Sequence, residues 1–404
     1  MTGKERILIF LLAAVNFTHI LDFMIMMPLG NYLMPAYDIN PTAFSILLSS
    51  YPIAAFASGI FMAFNADRFE RRSTLLVTYA GFILFTAACG FADSFGTLLV
   101  FRALTGIFGG ILGGQVLSII SDLFTYERRG TAMGAVMSSF AIAASAGVTF
   151  SLYLVNLFGD DWHVPFLFVS GIGTMLLGLS WRYLPQLRGH LATPPGESKW
   201  RSFTGILQDA RYRNALLFSG LMMMGHFLIV PFINPYLEFN KGYPRSVTPL
   251  IYLIGGIASF LAAILLGKLS DRVGKLAVFS WCVPLSFIFV VVLTNLPPLP
   301  FSMVLLFFAC WFALATGRAV SSQTLVSSVP DAASRGSFMS LNSSVQQLGT
   351  GLASVCAGWI VSDEPTGQLI RYEWVGYGSI AVLLAAFFMG RKLFRNTDKV
   401  NLPT

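Results

Sequence analysis

Residues 63–72 read Ala63-Phe64-Asn65-Ala66-Asp67-Arg68-Phe69-Glu70-Arg71-Arg72, and residues 267–275 read Gly267-Lys268-Leu269-Ser270-Asp271-Arg272-Val273-Gly274-Lys275. Two charged loops built on one Asp-Arg pattern, about 205 residues apart, are the trace of an internal duplication. Other landmarks keep the same register. Glu127-Arg128-Arg129-Gly130 is matched by Ala333-Ser334-Arg335-Gly336, and His19 and Pro28 are matched by His226 and Pro235. Four coincidences in one register fix the plan of the chain as two like halves in the same orientation, related by an axis along a membrane normal.

The units being repeated are membrane spans. Of 404 residues, 55% are hydrophobic and 11% charged, whereas a soluble domain carries about 25% charged residues. Crossing the hydrocarbon core takes about 20 apolar residues in a helix. Runs that qualify lie at 7–30, 43–66, 73–92, 97–121, 131–156 and 164–185. The second half supplies 213–237, 247–270, 276–295, 301–327, 336–361 and 373–394. The expected fold class is an all-α membrane protein of twelve transmembrane helices in two six-helix bundles, residues 1–188 and 213–404. Residues 189–212, with Pro194, Pro195 and Gly196, read as a mobile cytoplasmic linker. The first apolar run is too long for the core of a cleavable signal peptide and reads as a span.

The net charge of +7 does not point to nucleic acid, because the charges sort by side. With both termini inside, Lys241, Arg245 and Arg371 fall outside, Arg102 and Arg318 fall within spans, and the remaining Lys and Arg lie on the inner face. That asymmetry is the positive-inside rule, so the reading places both termini in the cytoplasm. Cys89, Cys282, Cys310 and Cys356 sit in apolar runs without a CxxC pair, which fits buried thiols and neither disulfides nor zinc.

The two loops and the Arg102-Ala103-Leu104-Thr105-Gly106 run resemble signatures of the major facilitator superfamily. The first-span segment Leu21-Asp22-Phe23-Met24-Ile25-Met26-Met27-Pro28-Leu29 is similar to its drug–proton antiporter and sugar-efflux branch. Departures stand beside the match. Ala63 and Glu70 occupy the first loop's usual glycine positions, and Ala146-Gly147-Val148-Thr149 replaces the antiporter motif in the fifth span, so obligate antiport does not follow from the resemblance. The resemblance implies that Asp67, Arg68 and Arg71 form a charge relay with Asp122, latching the halves in an outward-open state. Asp271, Arg272 and Lys275 would repeat that latch, although no acid stands at the position matching Asp122.

Ionisable side chains inside a span are costly and mark functional sites by default. Asp22 lies about 22 Å from the inner face of the first span, and Arg102 about 8 Å from the outer face of the fourth, at the helical rise of 1.5 Å per residue. In a core about 30 Å thick the two share a depth, so the pair is a candidate proton or substrate switch. The alternative is a static pair holding two helices together. His19 projects from the same face as Asp22, with His226 as its repeat mate; each is either a titrating group or a packed ring. Arg318, Asn342 and Gln346 form a candidate polar wall for an anionic or hydroxylated group, unless Arg318 snorkels to inner carbonyls. The Met222-Met223-Met224 run reads as packing.

These residues predict a secondary transporter working by alternating access, with proton-coupled efflux of a small organic solute as the leading form. A facilitator or importer of a sugar, amino acid or other metabolite is the alternative, and a transport-dead sensor a remote one. No GxxxxGK[ST] loop and no nucleophile–base constellation is legible, so the reading is not an enzyme. It calls for no cofactor and no metal. Its partners are the small-molecule substrate, protons and the lipid bilayer of a bacterial inner membrane, with the chain acting as a monomer.

Overall fold

The computed structural model describes residues 3–65, 68–124, 126–187, 199–331, 334–364 and 367–395. Apolar runs of this length have only one way to satisfy their backbone groups in lipid, which is the helix. The chain accordingly forms α1 (Gly3–Ile25), α2 (Gly30–Tyr37), α3 (Pro41–Asn65), α4 (Arg71–Cys89), α5 (Phe95–Leu123), α6 (Tyr126–Ile142), α7 (Val148–Leu157) and α8 (Val164–Tyr183). The second half gives α9 (Lys199–Gln208), α10 (Ala210–Phe227), α11 (Ile233–Pro235), α12 (Pro249–Val273), α13 (Lys275–Thr294), α14 (Phe301–Ser327), α15 (Arg335–Ile360) and α16 (Tyr372–Phe394). Among the described residues, eleven helical stretches are long and apolar enough to cross a membrane. The twelfth span is α15, 26 residues long, whose polarity comes from Asn342, Gln346, Gln347 and several serines.

Local chemistry sets the ends. The Glu70 side chain accepts from the Arg72 and Ser73 backbone amides at the start of α4, and Ser94 and Thr97 form a capping box at the start of α5. Asp209 caps α10. Two spans are broken at matching places. The first stops at Ile25 and resumes at Gly30, around Pro28; the seventh passes from α10 through a 3₁₀ turn at Val230–Phe232, α11 and a π turn at Tyr236–Asn240, around Pro235. Proline removes a ladder donor and crowds the preceding turn, so the repeated prolines give repeated breaks. The fifth span carries a π turn at Ala143–Gly147 between α6 and α7. Part of the segment expected to be a mobile linker is helical, because Ile206 of α9 is buried in the core of the C-terminal half. The sequence also gave no sign of the short antiparallel hairpin β1 (Ser362–Asp363) and β2 (Leu369–Ile370), with Ser362 opposite Ile370.

Helix packing repeats between the halves. α3 lies on α5, α4 on α5, α1 on α6 and α4 on α8; their counterparts are α12 on α14, α13 on α14, α10 on α15 and α13 on α16. The halves meet through α3 on α15 and through α12 on the π turn and α7. Large apolar side chains such as Phe10, Phe61, Leu84, Leu265, Trp359 and Phe388 are exposed on the outside, where a lipid belt covers them.

The apolar core shows which side is shut. On the face away from the termini one cluster runs through both halves, joining Leu29, Tyr32, Leu33 and Phe44 to Ile229, Phe232, Tyr236 and Tyr252. Towards the termini the core splits into two clusters of buried residues, one around Tyr79 and Ile119 and one around Phe218 and Phe279. The molecule is sealed on the distal face and divided on the terminal face.

Candidate functional site

Two polar centres sit inside the halves, at related places with unlike contents. In the N-terminal half Arg102 of α5 donates from Nη1 to Asp22 Oδ2 of α1 at 2.7 Å. Both side chains are almost wholly buried, 1% and 0% exposed. Thr86 Oγ1 of α4 donates to the other carboxylate oxygen at 3.3 Å. The Arg102 guanidinium lies 4.9 Å from the centre of the Tyr51 ring and 5.9 Å from that of Phe166, so aromatic faces complete its shell. Tyr51 stands this close because helix 4 of the bundle, α5, has glycine where it crosses α3. A methyl group at Gly106 would overlap the Tyr51 backbone, and one at Gly109 its hydroxyl. His19 packs on Tyr51 and Phe82, with ring centres 6.4 and 6.0 Å away, and both its ring nitrogens are shielded without a hydrogen bond of good geometry.

The expected pairing of Asp22 with Arg102 is therefore present, and His19 is a neighbour through Tyr51. In the C-terminal half, Arg318 of α14 donates from Nη1 to Ser286 Oγ of α13 at 2.9 Å. Its Nη2 lies 3.2 Å from His226 Nδ1 of α10. Trp311 stacks on the His226 ring, centres 5.3 Å apart at 25°. The two repeat-mate histidines thus have different partners. The polar wall expected from Arg318, Asn342 and Gln346 is not assembled as such. Gln346 of α15 donates from Nε2 to Gln323 Oε1 of α14 at 3.1 Å on an exposed surface. Asn342 is buried, with its side-chain oxygen unpartnered.

A third centre closes the distal face, and the sequence reading did not foresee it. Arg245, in the loop before α12, donates from Nη2 to the backbone oxygen of Asn31 and from Nη1 to Asp160 Oδ2, both at 3.3 Å. Its guanidinium lies 4.9 Å from the Tyr32 ring centre, and Asn156 donates to its backbone oxygen at 3.5 Å. All four partners belong to the N-terminal half. From its own half, Glu238 faces Nε at 3.2 Å and accepts from Thr248 Oγ1 at 2.9 Å. The Glu238 side chain is 4% exposed. It is an intramembrane acid of the kind that singles out Asp22, and it was missed because the seventh span was ended at residue 237. Beside this clasp the two proline breaks touch, with Asn234 Nδ2 donating to the Pro28 backbone oxygen at 3.4 Å.

Of the expected latch, Asp67 lies outside the described residues. Arg71 and Asp122 form a short ion pair, but both belong to the N-terminal half, so the pair alone does not bridge the halves. Lys275 and Asp271 pair within one turn at 3.1 Å. Arg68 and Arg272 are exposed.

Comparison with known proteins agrees with this architecture. A model of the Major Facilitator Superfamily matches residues 12–334 and 215–403. The MFS-type transporter YwfA of Bacillus subtilis is 24% identical over 370 residues, covering 90% of this chain and 85% of its own. A probable sugar efflux transporter of Helicobacter pylori is 22% identical over 58% of each chain. Among solved structures, a bacterial homologue of the lysosomal transporter Spinster, inward-facing and unoccupied, superposes with a TM-score of 0.75 at 16% identity, covering 100% of this chain and 99% of its own. A D-xylose–proton symporter gives 0.75 at 15% identity, covering 96% and 97%. The chain belongs to the major facilitator superfamily of multi-pass membrane transporters.

Proposed function

We propose that the protein is a secondary active transporter of the bacterial inner membrane that expels a small organic solute in exchange for protons. The observation that carries this reading is the Asp22–Arg102 pair, fully buried in the N-terminal half beneath a sealed distal face. A carboxylate cannot stay charged in the interior without a partner. Either Arg102 holds it or a proton does, and a movement that parts the two exchanges one for the other. With the termini cytoplasmic, the sealed face is the outer one and the divided core faces the cytoplasm, where an efflux substrate enters. The halves then rock about the middle, the clasp at Arg245 releasing as the terminal side closes. The relative named as a probable sugar efflux transporter supports the direction.

A second reading, import with protons, is favoured by the fold likeness to the D-xylose–proton symporter. Reconstitution in liposomes with an imposed pH gradient separates the two. Efflux by exchange drives solute against the proton flow, import with protons drives it along that flow, and a facilitator ignores the gradient. Solute moving with the protons would overturn the exchange reading.

A further inference from the structure

Resting on the transporter reading above, we infer that the C-terminal half holds a seat for one negative charge, and that the transported solute is a small organic carboxylate. Asp22, Arg102 and Arg318 are the charged residues buried as a whole among those described; the Glu238 side chain, 4% exposed, is paired with Arg245. Asp22 and Arg102 cancel. Arg318, 2% exposed, has only the neutral Ser286 and His226 as hydrogen-bond partners, and no carboxylate pairs with it among the described residues. The duplication explains the difference. The position matching Asp22 at the register of His19 and His226 is Ile229, so the second half has no acid at that place.

What surrounds Arg318 is rich in donors and short of acceptors. A guanidinium carries five N–H groups, and two nitrogens are engaged here. His226 Nδ1 accepts from Arg318 only when its proton sits on Nε2, which makes that nitrogen a donor. Trp311, stacked on His226, is 0% exposed, and its indole N–H has no acceptor. Buried N–H groups without a partner are uncommon. Ser321, one turn along α14 from Arg318, also has an unpartnered buried hydroxyl. An oxyanion supplies the missing acceptors and the missing charge together. One uncompensated positive charge selects a monoanion, and a planar carboxylate matches the guanidinium fork. A phosphomonoester brings about −1.5 to −2 at neutral pH and would leave negative charge over.

Thermal unfolding of the purified protein tests this with benzoate, lactate and gluconate as probes, against phosphate, xylose and tetraphenylphosphonium. At least one carboxylate should raise the melting temperature of the parent by about 3 °C, as a ligand well above its Kd does. Arg318→Met should abolish that shift, and Arg318→Lys should retain part of it. Without ligand, Arg318→Met should melt no lower than the parent, because an apolar chain of like length replaces an uncompensated buried cation. Arg102→Met, which strands Asp22, should melt clearly lower. The inference is overturned if no carboxylate moves the parent, if xylose or tetraphenylphosphonium does so instead, if the shift survives Arg318→Met, or if that variant melts as low as Arg102→Met. Flux of any probe through parent liposomes bears on the transporter reading alone, so the two fail separately.

Discussion

Arg102 Nη1 meets Asp22 Oδ2 at 2.7 Å across 80 residues of chain, and neither side chain touches solvent. The pair differs from a surface ion pair in what its loss costs. Removing one partner of a buried pair leaves a charge in low dielectric, at a cost of about 3–5 kcal/mol. Asp22→Ala should therefore lower stability by that order, measured by thermal unfolding. Asp22→Asn keeps the volume and the link to Thr86, and imitates the protonated acid. It should still exchange solute in counterflow and lose its response to a pH gradient. An Asn variant that still drives solute uphill with the gradient would make Asp22 a structural partner only.

The Arg245 clasp predicts a conformational effect that needs no substrate. Its two hydrogen bonds to Asn31 and Asp160 and its contact with Tyr32 all cross between the halves. Arg245→Ala should shift the population towards a distal-open form. A cysteine at Asn156 should then react several times faster with a membrane-impermeant reagent added on the distal side. An unchanged rate would mean that the apolar seal, not the clasp, holds that face.

Topology is tested by single cysteines at two exposed positions on opposite faces, Arg272 and Asp93. The charge asymmetry predicts that Arg272→Cys is labelled only from the cytoplasm and Asp93→Cys only from outside. The reverse pattern would invert the orientation, and with it the direction assigned to the sealed state.

Glu70 gives a pH dependence outside the membrane. Partial burial raises its pKa, but hydrogen bonds from Ser73, Leu187 and Arg72 outweigh this and hold the carboxyl down to about 2. A depressed folded-state pKa stabilises fully above the ordinary value of 4.5 and loses that contribution as pH falls towards 2. Glu70→Gln should thus lower the melting temperature at pH 7 and have a shrinking effect below pH 4.5, in a series of melts at stepped pH. An equal effect at every pH would show that Glu70 acts through shape alone.

The sequence by itself determined the spans, the duplication and the depth of Asp22 and Arg102. Bilayer insertion is a local constraint: each apolar run must satisfy its own backbone and match one thickness, so length and composition suffice. Depth follows from counting residues along a helix. What only the tertiary structure decided is which groups meet sideways. Arg318 lies at a depth where Asn342 and Gln346 were expected, yet it meets His226 and Ser286, because rotation about each helix axis is set by packing partners far away in the chain. The distal clasp was hidden for a related reason. Arg245 looked like an outer-loop charge and Glu238 like a residue past the end of a span. They became a pair, with Glu238 shielded and Arg245 partly exposed, only when the break at Pro235 turned the chain inward against Pro28 and Asn31 of the other half.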